Sequence, residues 1–196
     1  MNWWVLSRKV PALAALTAAT TFISLALGQS YLPVPALVGG AGHFLLAALL
    51  TVIPAVMWLA FTARARIPAE TVSVRAVHRF DVSLAAAGAT LSLSLAVLGH
   101  FLGADAVALA VGRNTAFYFG VALVLNPLTG ARAGAPLLVA VPLVLAVGGW
   151  QAGGRGPQPW AIPLHDAASL PALCAGLAVF LTGTVFGSIR APRLIP

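Results

Sequence analysis

Between Lys9 and Arg64 the chain contains no Asp, Glu, Lys or Arg. So long an uncharged stretch cannot furnish the wet face of a water-soluble domain. A bilayer demands such a stretch: crossing the hydrocarbon takes roughly 20 apolar residues, and a helix satisfies its own backbone groups there. Charged residues make up only 8% of the 196-residue chain, against about 25% in ordinary globular domains. Mean hydropathy is +0.98. The expected fold class is all-α, a polytopic membrane helical bundle forming one transmembrane domain over residues 1–196.

Apolar runs mark about six spans, at 10–28, 36–61, 82–102, 114–130, 134–150 and 168–189. Only "ARAG" separates the fourth from the fifth, which predicts a tight helical hairpin. Pro54, Pro127 and Pro142 fall inside spans and should kink them. Arg8 and Lys9 before an apolar run resemble the start of a signal peptide, but no small-x-small cleavage site closes the run before "QSYLPVP". It reads as a retained first helix.

The net charge of +7 does not point to nucleic acid, because the basic residues sit singly or in small groups between apolar runs instead of clustering on a wet face. They are arranged as topology signals. With six spans, one set of loops holds Arg8, Lys9, Arg64, Arg66, Arg75, Arg79, Arg132, Arg190 and Arg193, and the other holds Arg113 and Arg155. The positive-inside rule then puts both termini in the cytoplasm. Cys174 lies alone in an apolar run, so no disulfide framework or CxxC pair exists.

One passage breaks the oily pattern: "ARARIPAETVSVRAVHRFD", residues 63–81, with Arg64, Arg66, Glu70, Arg75, Arg79 and Asp81. Spacing at 100° per residue gathers Ala69, Val72, Ala76, Val77 and Phe80 on one side. Glu70, Thr71, Arg75, His78 and Arg79 gather on the other. A short amphipathic cytoplasmic helix is expected, with Pro68 at its first turn. It either lies flat in the headgroups or docks a cytoplasmic partner, and in the second case Glu70, Val72, Arg75, Ala76, His78, Arg79 and Phe80 would form the docking surface.

Polar groups within or beside spans are candidates for a path through the membrane. His43 and His100 fall near the outer ends of spans two and three, Arg113 opens span four beside Asn114, and Asn126 precedes Pro127 inside it. Arg113 has headgroups, Asp105 or Asp166 as alternative partners. These residues lack ligand spacing, so no metal site is expected. A haem held between His43 and His100 is the specific redox alternative. With no GxSxG, HExxH or paired carboxylates on one span, the expectation is not an enzyme.

In its arrangement the chain resembles the membrane (permease) subunit of ABC transporters of the type 2 export class. "MNWWVLSRKV" would match a surface-lying N-terminal helix anchored by Trp3 and Trp4, the stretch from Pro68 to Phe80 a coupling helix, and "GPQPWAIPLHDAASLPA" a re-entrant segment. Two stretches, "GRNTAFYFGVALVL" and "PQPWAIPLHDAASLPAL", are similar to a pattern in small actinobacterial membrane proteins encoded with ABC ATPases. The resemblance implies export of an amphipathic or peptide-like substrate across the bacterial inner (cytoplasmic) membrane. It also implies a separate ABC ATPase subunit and a second membrane subunit, in a homodimer or heterodimer. No cofactor is expected in this chain; ATP and Mg would be bound by the partner, since no GxxxxGK[ST] loop is present. The alternatives are a substrate-binding subunit of a vitamin-uptake transporter and a b-type haem membrane redox protein.

Overall fold

The computed structural model describes residues 2–35, 41–65, 77–151 and 156–190. A short α1 (Asn2–Ser7) leads into α2 (Val10–Leu27). A two-stranded antiparallel hairpin follows, β1 (Tyr31–Pro35) with β2 (Ala41–Leu45), then α3 (Leu46–Leu50) and α4 (Ile53–Ala65). The bundle is completed by α5 (Val77–Phe101), α6 (Val107–Gly148), a 3-10 turn (Ile162–Leu164) and α7 (Leu170–Ile189). The architecture is all-α apart from the small hairpin, and five helices are long and apolar enough to cross a membrane.

Local chemistry sets most boundaries. Lys9 adopts a left-handed backbone (φ 49°) that separates α1 from α2, and Pro11 sits in the first turn of α2, where its missing N–H costs nothing. Ser169 caps α7 by accepting from the Ala172 N–H at 3.4 Å. The predicted span 36–61 starts too early: prolines 33 and 35 favour extended backbone, and the chain pairs as a hairpin before turning helical at Leu46. Pro54 then divides that span, because it cannot donate to the preceding turn.

At the other end of that span, predicted residues 78–80 of the separate amphipathic helix prove to be the first turn of α5, which runs unbroken from Val77. Residues 66–76 of the predicted cytoplasmic helix lie outside the described residues.

Helix α6 holds 42 residues, about 63 Å if straight, twice the roughly 30 Å hydrocarbon thickness. It is not straight. Gly130 takes φ 75° and ψ 159°, a combination essentially confined to glycine, and the chain doubles back. A Cβ built on Gly134 would stand 3.6 Å from Leu125 Cβ. The two limbs, 107–129 and 131–148, thus run side by side.

On α2 and α7 mostly small or hydroxyl-bearing residues turn inward while bulky apolar ones turn outward. The buried face of α2 presents Leu13, Thr17, Thr20, Thr21 and Ser24, while Phe22 and Ile23 are exposed. On α7 the buried face is Ala172, Gly176, Gly183 and Gly187, with Leu181, Val185 and Ile189 exposed. Small residues let backbones touch where no hydrophobic drive exists between helices in lipid. At Gly120 an added Cβ would lie 2.7 Å from Phe180 Cα, and at Gly183 it would collide with the Gly120 carbonyl.

Candidate functional site

At one end of the bundle, α1 and the close of α7 meet the start of α5. There the Arg8 guanidinium donates to Asp81 through Nε (2.8 Å to Oδ1) and Nη2 (3.0 Å to Oδ2). This fork-on-fork pair is buried, with side-chain exposures of 1% and 7%, so removing one partner would take the counter-charge from the other in a dry site. Two indoles complete it. Trp4 Nε1 donates to Asp81 Oδ1 at 3.2 Å, and Trp58 Nε1 donates to the Asp81 carbonyl at 3.0 Å. One residue of α5 is thereby tied to α1, to the α1–α2 joint and to α4. Trp4 remains half-buried, and its ring also packs 5.8 Å from that of the exposed Phe80.

The opposite, capped end carries the second cluster. Arg113, 1% exposed, donates from Nη1 to the Asp166 carbonyl (2.9 Å), from Nη2 to the His165 carbonyl (2.8 Å) and from Nε to Asn114 Oδ1 (3.1 Å). Asn114 passes the chain of bonds on, donating from Nδ2 to the Pro163 carbonyl at 3.3 Å. These carbonyls belong to the segment around the 3-10 turn, whose Ala161, Ile162 and Pro163 are buried. The segment is also held by the Gln158 N–H on the Gly149 carbonyl (2.7 Å) and by the bridge between Trp150 and Pro157. Gly176 leaves room for the arginine stem, an added Cβ there lying 3.2 Å from Arg113 Cγ.

Between the two ends runs a seam of hydroxyls. Thr21 gives its proton to the Thr17 carbonyl (2.8 Å), so the 2.9 Å contact between Thr21 and Ser92 has Ser92 as donor. Ser24 reaches the Ala47 carbonyl at 3.4 Å. Tyr118 is fully buried, and its hydroxyl has no hydrogen-bond partner among the described residues.

Of the path candidates, Arg113 belongs to the capped-end clamp, where it donates to the Asp166 carbonyl and also feels the charge of the Asp166 carboxylate; Asp105 accepts from Gln29 at 2.7 Å. Asn126 is buried beside Pro127. His100 is exposed in the last turn of α5, its ring 6.2 Å from that of Phe101. His43 is on β2, paired in register with Pro33. The structure gathers Arg113 with Asn114 and leaves the others dispersed.

Of the docking candidates, Glu70, Val72, Arg75 and Ala76 lie outside the described residues. Arg79 and Phe80 are exposed, and His78 Nε2 contacts the Ser188 carbonyl at 3.2 Å. Among the described residues there is no group of three or more His, Cys, Asp or Glu that could hold a metal.

Sequence reasoning passed over Arg8, Trp58 and Asp81. An acidic residue at the mouth of an apolar run was the available signal, since it must find a cation. Compared with models of known protein families, with curated proteins and with solved structures, the chain has no significant match.

Proposed function

We propose that this chain is the permease subunit of an ATP-driven ABC exporter, moving an amphipathic or peptide-like substrate with energy from a separate ATPase subunit. The observation that supports this reading is the contact between its two resemblance-bearing stretches. "GRNTAFYFGVALVL" and "PQPWAIPLHDAASLPAL" lie about fifty residues apart in sequence, yet meet through Arg113 and Asn114 on the carbonyls of Pro163, His165 and Asp166. A resemblance carried by one interlocked unit is stronger than two separate likenesses.

In this reading α6 crosses the inner membrane twice, giving six crossings and cytoplasmic termini. The exposed cations Lys9, Arg64, Arg79, Arg132 and Arg190 would face the cytoplasm in accord with the positive-inside rule. The connection after α4 would receive the ATPase. The segment clamped by Arg113 would close the outer end, and the hydroxyl seam between α2 and α5 would offer polar groups to a substrate. A second membrane subunit completes the path.

The test is co-purification with the ATPase encoded beside the gene, repeated with Arg75→Glu/Arg79→Glu. The reading expects stoichiometric capture by the unsubstituted chain and its loss in the variant. Failure of any ATPase to co-purify from native membranes rejects it.

A further inference from the structure

Among the described residues, the five exposed cations at the terminal end are not grouped on one element; they are spread over the α1–α2 joint, α4, the start of α5, the reversal in α6 and the end of α7. Lys9 Nζ lies 5.8 Å from the Phe61 ring centre, one helical turn from Arg64 on the same helix. Helix α4 in turn packs through Leu59 against Gly134, beside the reversal that bears Arg132. The first limb of α6 meets α7 where Leu123 borders Gly187, and α7 ends at Arg190, which lies over Phe186. The His78 contact on Ser188 brings Arg79 to the same place, and the Trp4–Phe80 and Arg8–Asp81 contacts close the circuit back to Lys9.

Internal acids do not balance this ring. Asp81 is taken up by Arg8, Asp105 and Asp166 lie at the capped end, and Glu70 alone falls outside the described residues. Apolar side chains lie at the same level, with Leu6 74%, Phe80 49% and Ile189 76% exposed. A protein or nucleic-acid partner would cover one side of such a ring. The only surroundings that meet every side at once, apolar below and polar above, are those of a bilayer.

We propose that this ring is an anionic-lipid collar: Lys9, Arg64, Arg132 and Arg190 each engage phosphate headgroups of the surrounding anionic phospholipids. The attraction is distributed over independent contacts, each worth roughly fivefold in lipid preference near an anionic surface and falling with salt. It requires no ATPase, so it stands or falls separately from the transport reading.

The test is quenching of tryptophan fluorescence by brominated phosphatidylglycerol against brominated phosphatidylcholine in reconstituted vesicles. Trp150→Phe and Trp160→Phe restrict the signal to the terminal end. The expected result is a preference for phosphatidylglycerol of roughly fivefold per contact at low salt, declining stepwise through Lys9→Gln, Arg64→Gln, Arg132→Gln and Arg190→Gln. Equal quenching by both lipids in the protein with its cations intact overturns the collar. So does loss of the whole preference with one substitution, which would mark a discrete pocket, and so does binding of an acidic polypeptide without any lipid preference. Should the combined variant fail to fold, raising salt to about 1 M on the intact protein, where the Debye length is about 3 Å, must erase the preference; a salt-insensitive ratio overturns the proposal equally.

Discussion

Each end of this bundle buries one arginine, and the two are compensated in opposite ways. Arg8 faces a carboxylate fixed on α5, so both charges belong to the helical framework. Arg113 is held by carbonyl dipoles and one amide oxygen, and the carbonyls come from an irregular segment that is not a helix of the bundle. The first arrangement fastens helices to one another. The second fastens an irregular stretch of backbone to the bundle, with three hydrogen bonds to neutral oxygens and the charge of Asp166 nearby.

The largest expected effect comes from breaking the first arrangement. Asp81→Ala takes the carboxylate away from the buried Arg8 guanidinium and should cost about 3–5 kcal/mol, measured by unfolding in detergent. The pair of substitutions Arg8→Met/Asp81→Leu should recover most of that loss, because the penalty comes from a buried charge deprived of its carboxylate. If the double variant is as unstable as the single one, the ion pair is not the source of the effect.

The second arrangement should respond differently. Arg113→Gln keeps a polar group but gives up the charged donors, each worth about 1.5–3 kcal/mol when bonded. The loss should appear locally, as faster hydrogen exchange over residues 158–166, with the remainder of the bundle little changed. Uniform acceleration over all helices would make the two ends alike.

Between the ends, Thr21→Val removes the acceptor for Ser92 and should cost about 0.6 kcal/mol, the average for hydrogen bonds between helices in a membrane. A double-mutant cycle with Ser92→Ala measures it. Smallest of all is Tyr118→Phe. It deletes a buried hydroxyl that has no described partner and should leave stability unchanged or raise it by up to about 1 kcal/mol. A marked loss would reveal a partner.

Helix 10–27 was expected at 10–28, and 170–189 at 168–189, because Gly28 and the Ser169–Pro171 cap are local signals. The hairpin preceding α3 was not legible: hydropathy is blind to backbone conformation, and "YLPVP" is as apolar as a helix. The start of α6 was cut short at Asn114, since an arginine in the run reads as a boundary. Its burial is made tolerable by acceptors 52 and 53 residues later. Backbone carbonyls have no letter in a sequence, so of the groups around Arg113 only Asp166, whose charge acts on it, could be named in advance. The Arg8–Asp81 pair spans 73 positions, beyond any helical periodicity.

Gly130 has a consequence for the chain as a whole. In the proposed six-crossing arrangement the side on which each segment lies depends on the parity of the crossings, and the reversal at this residue would make α6 count twice. A bulky β-branched residue such as valine cannot hold φ 75° and ψ 159° without strain, so Gly130→Val favours a continuous helix. Everything downstream, including Arg190, would then be delivered to the opposite face. In that arrangement a single missing side chain would decide on which side of the membrane α7 ends, and a reporter fused after Ile189 would read that parity directly.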